Sequence, residues 1–320
     1  MAAFIPPETA VKTREEISKS NLRGALHWRY FRRDWFKFVF GIFLPLILFM
    51  IFIGYPMLNT IYLSLFDWNG ITKTMKFIGL QNYIQLIHDP HLSLSLTNNL
   101  LWFVLTLIFP LMGGLVLGAI LSSGRIYFTK VLMVLLLLPI TFSMVTIGTM
   151  FGLITNPVFG ALNQVLASIG LGFIHPDWLG PNLAIYTLIA VSSWSGLGMT
   201  TLMFNAAMGQ VPDELYETAK MEGARAYQTF WYVTLPSIRP IIGIVTVLVA
   251  IGSLRAFDLV FVMTRGGPFR RTTVLGYMLF DEAFTKYHFG YGAAIGTVIL
   301  LFAAVLMYFY IRQNVLTANN

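Results

Sequence analysis

Charged residues are absent from long stretches of this sequence. Between Lys130 and Asp213 the only charged side chain is Asp177, and residues 38–66 contain no charge at all. A transmembrane helix needs about 20 predominantly apolar residues, so these runs are long enough to cross a bilayer. Charged residues make up only 11% of the chain, against about 25% in soluble domains. The chain is therefore predicted to be an all-α integral membrane protein.

The apolar runs predict six transmembrane helices. Polar turns or stretches rich in glycine and proline separate them, as at residues 155–181. Six spans place both termini on the same side of the membrane, and the basic N-terminal tail assigns that side to the cytoplasm. The predicted spans cover residues 38–66, 94–121, 131–154, 182–208, 241–263 and 290–311.

The two ends of the chain are predicted to be cytoplasmic tails. Residues 1–37 mix basic side chains with Trp and Tyr, a pattern typical of a segment at the lipid headgroups. Residues 313–320 form the short C-terminal tail. The last predicted outer loop, residues 264–289, departs from the rule that outer loops carry few positive charges. Because it holds several basic residues, it is also a candidate contact surface for an external partner: Arg265, Arg270, Arg271 and Lys286.

Residues 212–236 form an island of charge in this apolar chain. Six charged residues lie within thirteen positions: Asp213, Glu214, Glu217, Lys220, Glu222 and Arg225. A segment this polar is not stable in hydrocarbon and must emerge into water. Its pattern predicts two short helices joined at Gly223, with Pro212 at the first helical position and Leu235-Pro236 closing the second helix.

One face of the first short helix is mostly small. Tyr216, Ala219 and Gly223 follow one another at three- and four-residue spacing and share that face. A surface of this kind allows another backbone to approach closely. Glu217 lies near the alanine and offers an acceptor to a partner's donor.

Glu217-Thr218-Ala219, then Gly223, then Leu235-Pro236 resembles the cytoplasmic signature loop of permease subunits in binding-protein-dependent ABC importers. The family's usual Glu-Ala-Ala is Glu-Thr-Ala here. In that family the short helix docks into a groove on a separate ATPase subunit and transmits its closure. The resemblance therefore implies that coupling to the ATPase involves six residues: Glu217, Ala219, Gly223, Tyr216, Leu235 and Pro236.

A second motif narrows the resemblance to the sugar-permease branch. Thr264-Arg265-Gly266-Gly267-Pro268 is similar to the Thr-x-Gly-Gly-Pro turn of sugar-importing members. It is not a phosphate-binding P-loop, because it lacks the Gly-Lys-Ser/Thr that such loops need. The resemblance implies the type I ABC importer fold. Its parts would be a first span with its outer loop at residues 38–91 and a five-helix core at residues 92–312, which includes the coupling loop 212–236.

The resemblance also implies partners. These are a second, different permease subunit, two copies of a P-loop ATPase subunit that bind ATP and Mg, and an external solute-binding protein. Relatives import disaccharides, oligosaccharides or glycerol phosphates, and an importer of alginate oligosaccharides belongs to this branch too. The expected location is the bacterial cytoplasmic (inner) membrane, among lipid, and the expected mechanism is alternating access. The chain itself would bind no cofactor.

Sugar-permease relatives line their central cavity from the fourth and fifth spans. Matched outward from the two motifs, the cavity positions are Ser192, Gly196, Met199, Ser253 and Ala256. These residues are small or apolar, whereas sugar sites favour amides and stacking aromatics. Small and hydroxyl residues in a span also serve close helix packing.

Arg255 and Asp258 form an ionisable pair in the fifth predicted span. Three residues apart, they would share one helix face. Ionisable groups within a span usually face a cavity or each other. The pair has three open interpretations. The two side chains could neutralise each other, they could line the substrate path or brace a gate, or they could relay protons in a stand-alone secondary transporter or channel.

Other chemistry finds little support in the sequence. There are no cysteines, so a disulfide, a thiolate metal site and a cysteine nucleophile are excluded. The five histidines lie outside the apolar runs without metal-ligand spacing. No nucleophile–base pairing indicates a membrane-embedded enzyme, and no basic, aromatic-interleaved stripe indicates nucleic-acid binding. The chain has no ATP-binding motif of its own, so ATP hydrolysis is expected in another polypeptide.

Overall fold

The computed structural model describes residues 40–124, 126–254 and 256–318. The predicted tail 1–37, Arg125 and Arg255 lie outside the described residues. The chain divides into two compact units at Thr60. Helix α1, Phe40–Leu63, begins in the first unit and corresponds to the first predicted span. Within it the stretch Met50–Gly54 is π-helical.

A short polar structure follows α1. Strand β1 (Phe66–Asp67) pairs antiparallel with strand β2 (Lys76–Phe77), with Phe66 opposite Phe77. Helix α2, Gln81–His88, packs beside this hairpin. The buried amide of Asn82 joins the two, because its Nδ2 donates to the carbonyl oxygens of Ser64 at 2.8 Å and Phe66 at 3.0 Å.

Helix α3, Pro90–Ser122, is the second predicted span. Proline inside a helix removes one backbone donor and its ring crowds the preceding turn. The chain absorbs Pro110 with a π-helical stretch over Leu107–Met112. The Pro110 carbonyl oxygen accepts a 2.7 Å hydrogen bond from Thr200 Oγ1 in the neighbouring span. Thr200 thus ties α7 directly to the π-helical stretch of α3.

The third predicted span is not continuous. Helix α4, Thr129–Thr141, and helix α5, Met144–Ile154, meet at a bend of 98°. Pro139 lies in the tight turn that ends α4, and Ser143 then adopts an extended backbone and caps α5 by accepting from the Thr146 N–H at 3.2 Å. A proline followed by a strong N-cap therefore breaks a run that hydropathy alone reads as one helix.

Helix α6, Ala161–Leu171, lies in the excursion predicted at residues 155–181. Helix α7, Ala184–Met208, is the fourth predicted span and the most buried of the three long apolar helices. Its close crossing with α3 depends on small residues, because a Cβ at Gly118 would lie 3.0 Å from Phe204 Cβ. Glycine and threonine at the interface let the two backbones approach.

The polar segment consists of helix α8, Asp213–Met221, and helix α9, Ala226–Ser237. The fifth predicted span, residues 241–263, is interrupted. Helix α10, Arg239–Leu254, leaves α9 at a bend of about 72° and ends within the predicted span. Residues 256 and 257 form a turn before a π-helical stretch, α11, at Val260–Thr264. Asp258 follows this turn, and Arg255 lies outside the described residues, so the pairing of Arg255 with Asp258 on one helix face stays a prediction.

The last part of the chain contains two further helices. Helix α12, Leu275–Phe280, continues as a π-helical turn over Asp281–Thr285 and lies in the predicted outer loop. Helix α13, Phe289–Ala318, contains the sixth predicted span and runs on through residues predicted to be the C-terminal tail.

Three buried clusters hold the second unit together. One joins α3, α5, α7 and α11 around Trp102, Leu188 and Val260. Another joins the far ends of α3 and α7 to α10 around Phe204 and Val245. A third packs α2, α12 and α13 around Met278. Burial of apolar side chains at these junctions fixes which helices meet.

The described residues contain three helices long and apolar enough to span a membrane, or up to five if each bent pair counts as one span. A shorter apolar stretch, Phe289–Val305, corresponds to the sixth predicted span. The all-α membrane fold is confirmed, and the count of six spans stays a prediction.

Candidate functional site

Gly223 ends helix α8 in a left-handed conformation. Its φ is +76°, and two backbone hydrogen bonds close the helix around it. The Ala224 N–H donates to the Ala219 carbonyl at 2.9 Å, and the Gly223 N–H donates to the Lys220 carbonyl at 3.0 Å. This pair of bonds is the Schellman motif, which favours glycine at this position. The predicted junction at Gly223 therefore has a conformational cause.

The start of α8 differs slightly from the prediction. Pro212 has ψ of 133° and is the N-cap rather than the first helical residue. Asp213 and Glu214 occupy the first turn and Lys220 the last. Both arrangements match the helix dipole, which favours acids at the N-terminus and bases at the C-terminus. The helix therefore has local stabilisation independent of its neighbours.

Three aromatic and aliphatic side chains attach the polar segment to the spans. Tyr216, Phe230 and Leu235 pack against the cluster that contains Phe204. The Tyr216 hydroxyl also lies 3.3 Å from Thr234 Oγ1, which joins α8 to α9. The polar segment is therefore packed directly against the ends of α7 and α10.

The segment exposes a different set of residues from those that anchor it. Glu217 is exposed, and a Cβ placed on Gly223 would meet nothing within 4 Å. Ala219, in contrast, is only 8% exposed. The predicted small face is thus divided: the chain itself covers Ala219, whereas Gly223 and Glu217 remain accessible to a partner.

An open cavity of about 1000 Å³ lies between the polar segment and the ends of α3 and α7. Side chains with hydroxyl groups and one lysine contribute to its walls: Ser122, Ser123, Tyr216, Lys220, Tyr227 and Thr234. The cavity therefore lies directly beside the polar segment. This leaves space on its flank.

The predicted cavity residues of α7 share one face. Ser192, Gly196 and Met199 follow at helical spacing, with Met199 41% exposed and the other two half-buried. The adjacent Ser193 is buried, and its hydroxyl finds no hydrogen-bond partner among the described atoms. Since the face is partly open, it is available to line a pathway.

The predicted cavity residues of the fifth span are more scattered. Ser253 is 2% exposed, and its hydroxyl donates to the Ala250 carbonyl of its own helix at 2.7 Å. Ala256 is half-buried and packs against the Trp102 cluster, whereas Asp258 is exposed. Arg255 lies outside the described residues. Ser253 is therefore an internal packing residue in this conformation, and its hydroxyl does not face open space.

The Gly266-Gly267-Pro268 turn is cross-linked by hydroxyl groups. Thr272 Oγ1 donates to the Gly267 carbonyl at 2.7 Å and lies 2.8 Å from Thr264 Oγ1. Gly266 has φ of +77°, and a Cβ there would lie 2.6 Å from the Tyr277 ring. Only glycine fits this position, because both its backbone conformation and its surroundings exclude a side chain.

Two adjacent amides in α3, Asn98 and Asn99, were missed by sequence reasoning. They are 6% and 5% exposed and hydrogen-bond to the segment that follows the Gly-Gly-Pro turn. Consecutive amides within an apolar run are costly in a membrane unless they have partners. Two consecutive asparagines in a predicted span are therefore the sequence signal that could have identified Asn98 and Asn99.

The positive charge of the predicted outer loop is partly neutralised by nearby carboxylates. Asp281 Oδ2 lies 3.3 Å from Arg270 Nη2 and 3.1 Å from Lys286 Nζ. Glu282 pairs with Lys286 and lies 3.1 Å from His288 Nδ1. Partial burial acts to lower the pKa of Lys286, but hydrogen bonds to Glu282 and Asp281 outweigh it and raise the pKa above its ordinary value. Two of the four basic residues of this loop, Arg270 and Lys286, are thus paired with local carboxylates.

The described ranges contain no group of three or more histidine, aspartate or glutamate side chains arranged to hold a metal ion.

Comparison with known proteins assigns this architecture to a family. Residues 111–315 match the family described as "Binding-protein-dependent transport system inner membrane component". The probable ABC transporter permease protein YurN of Bacillus subtilis (strain 168) is 35% identical over 264 residues, which are 82% of this chain and 90% of YurN. The multiple sugar-binding transport system permease protein MsmF of Streptococcus mutans serotype c is 31% identical over 278 residues, 84% of this chain and 92% of MsmF.

The fold is also that of a solved transporter. A crystal structure of bacterial alginate ABC transporter in complex with alginate pentasaccharide-bound periplasmic protein contains a chain that superposes with a TM-score of 0.74 at 21% identity. The match covers 88% of this chain and 95% of that chain. This chain belongs to the family of binding-protein-dependent transport system inner membrane components. It is a multi-pass ABC transporter permease, and its fold is the type I ABC permease fold.

Proposed function

We propose that this chain forms half of the translocation pathway of an ATP-driven carbohydrate importer and is coupled to a separate ATPase through residues 212–236. One observation carries the coupling role. The polar segment is anchored to the spans by Tyr216 and Leu235 but keeps Glu217 and Gly223 exposed. A surface that is fixed on one side and accessible on the other can receive a force and pass it inward.

The carbohydrate substrate is supported by the relatives. MsmF is a sugar permease by its name, and the solved alginate transporter holds an oligosaccharide on its periplasmic protein. In this chain the open face of α7 carries Ser192, Gly196 and Met199, which offer little for strong sugar binding. We infer that the pathway binds substrate weakly here and that a second, different permease subunit contributes more of the site.

The mechanism we propose is alternating access. ATP and Mg bind between two copies of the ATPase, whose closure moves α8. The packed contacts of Tyr216 and Leu235 carry that movement to α7 and α10, and the pathway opens toward an external solute-binding protein. Hydrolysis reverses the movement. The chain's own residues supply the mechanical link and no chemical step.

Gentle purification from native membranes tests the proposal. We expect recovery of a P-loop ATPase and a second permease with the unaltered chain. The variant Glu217→Ala combined with Gly223→Asp should lose the ATPase and keep the second permease. Asp67→Asn, at an exposed carboxylate on the predicted outer side, is the control and should lose neither.

The opposite outcome has a definite meaning. Recovery of the chain alone under several detergents would contradict the importer assignment. If liposomes containing only this chain then took up solute with a proton gradient, it would be a stand-alone secondary transporter, and Arg255 and Asp258 would be the first residues to alter.

A further inference from the structure

We propose that Asn98 and Asn99 are positioning residues that hold the loop 264–275 and the end of α10 against α3, and so set the geometry with which the loop meets an external protein. This inference rests on the proposed function. We call the two residues and their four hydrogen bonds the asparagine clamp.

Asn98 uses both hydrogens of its amide nitrogen on the loop. Nδ2 donates to the Arg271 carbonyl at 2.9 Å and to the Thr273 carbonyl at 2.8 Å. An asparagine amide has only two N–H donors, so both are engaged. The two acceptor carbonyls are two residues apart in the same segment of backbone. Asn98 therefore fixes the position of that backbone and not merely one atom of it.

Asn99 joins the ends of two different helices. Its Oδ1 accepts from the Leu275 N–H at 2.8 Å, and its Nδ2 donates to the Ser253 carbonyl at 3.3 Å. Leu275 is the first residue of α12, and Ser253 is in the last turn of α10. The first N–H groups and last carbonyls of a helix lack partners within it. Asn99 belongs to α3, and it supplies a hydrogen-bond partner to one end of each of these two helices.

Neighbouring residues of α3 continue the contact along one side of the helix. Three residues before Asn98, Ser95 Oγ lies 3.7 Å from the Met278 sulfur of α12. Three residues after Asn99, Trp102 is 1% exposed and belongs to the cluster that contains Val274. Since these polar and apolar contacts lie on the same side of α3, the loop cannot move away without disrupting both.

The clamp holds a loop whose outward side is exposed. Phe269 is 87% exposed with φ of +52°, and Arg265 and Arg271 are also exposed. An exposed aromatic flanked by arginines is the composition that favours protein interfaces. Loop position and protein contact are therefore linked through Asn98, which is buried beneath this surface.

An isosteric change tests the clamp. Asn98→Asp keeps the shape of the side chain but replaces a double donor with acceptors that face two carbonyl oxygens. We expect the concentration of solute-loaded binding protein that half-maximally stimulates ATP hydrolysis to rise roughly tenfold or more. The maximal rate should change less. Asn99→Ala, which adds no charge, is measured in parallel and should shift the same quantity in the same direction.

The matched control is Thr97→Ala in the preceding position of α3. Thr97 is exposed, and its hydroxyl donates only to the Ser93 carbonyl of its own helix at 2.8 Å. It should leave the half-saturating concentration within about twofold of the unaltered complex, a shift of under half a kcal/mol.

Three other results would count against the clamp or against the proposed function. An unchanged half-saturating concentration in both asparagine variants overturns the proposal, even if thermal stability falls, because a purely structural role predicts that pattern. Failure of both variants to assemble with the ATPase also overturns it, since the clamp is remote from the polar segment 212–236. If no ATPase co-purifies with the unaltered chain, the proposed function has failed instead.

Discussion

The phenolic hydroxyl of Tyr291 donates a 2.9 Å hydrogen bond to Oδ2 of Asp89, two residues that are 202 positions apart in the chain. The other carboxylate oxygen of Asp89 accepts from the His91 N–H at 2.8 Å and caps α3. One side chain therefore both starts α3 and holds it to the beginning of α13.

We predict that Tyr291→Phe lowers the free energy of unfolding by about 1.5–3 kcal/mol, the usual range for a hydrogen bond to a charged group. Asp89→Ala should cost about 1 kcal/mol more, because it also removes the cap. Thermal or denaturant unfolding of the purified complex measures both, and the double variant gives the coupling energy. Tyr287→Phe, at an exposed tyrosine, is the control. Strictly additive effects of the two substitutions would contradict the direct bond.

At Gly223 we predict that Ala is more harmful than Asn. The left-handed backbone costs an ordinary residue about 1–2 kcal/mol, whereas Asn adopts it more readily. Space is not the cause, because a Cβ there meets nothing within 4 Å. The affinity of the complex for its ATPase should fall more for Gly223→Ala than for Gly223→Asn. Gly223→Asp adds a charge and should uncouple ATP hydrolysis from transport.

The control for that series is Gly209→Ala. Gly209 lies beside the same segment with a normal negative φ of −70°, and a Cβ there would make ordinary contacts at 3.6 Å and beyond. Normal uptake by Gly223→Asp, or equal effects of Ala and Asn, would argue against a coupling role that depends on this cap.

At Gly198 the structure predicts a steric effect. A Cβ there would overlap the Leu136 carbonyl oxygen, which is backbone and cannot rotate away. Gly198→Ala should therefore destabilise the protein by about 1–3 kcal/mol, as overpacking usually does. Gly252→Ala is the matched control in α10, where nothing lies within 4 Å, and it should be neutral or stabilising by up to about 1 kcal/mol. Comparable melting temperatures for the two variants would disprove the crossing of α4 and α7 at this point.

The raised pKa of Lys286 predicts how its contribution to stability depends on pH. A lysine whose folded pKa lies above its ordinary value of 10.5 contributes its full stabilisation below 10.5 and loses it as pH rises through the higher folded value. Lys286→Met should therefore lower the melting temperature by the same amount at every pH from about 7.5 to 9.5. A melting-temperature difference close to zero at every pH in this range would show that pairing with Asp281 and Glu282 does not stabilise the protein through Lys286.

Local sequence was sufficient for the polar segment. Charge density required residues 212–236 to leave the membrane, and Gly223 marked the junction because left-handed backbone strongly favours glycine. Leu235 and Pro236 lie in the last turn of α9, where the second helix was predicted to close. Each of these features depends on residues within a few positions of one another, and such dependence can be read from a chain without its fold.

The interrupted spans were harder to predict. The break between α4 and α5 has a local cause in Pro139 and Ser143, yet Pro110 in α3 produces no comparable break. At Pro110 the helix continues through a π-helical stretch, whereas at Pro139 it ends in a tight turn. Thr200, 90 residues further along the chain, adds a hydrogen bond to the Pro110 carbonyl, and no local pattern encodes that contact.

The sequence by itself determined that this chain is a bundle of membrane helices with one polar segment, because hydropathy and charge are properties of short stretches. Only the tertiary structure decided which side chains of those helices are available. It buries Ala219 and Ser253, which the sequence assigned to partner and cavity, and it gives Asn98 and Asn99 partners near positions 253 and 273. The reason is physical: the burial and hydrogen bonding of a side chain depend on contacts between residues that are far apart in the chain, and no local pattern encodes them.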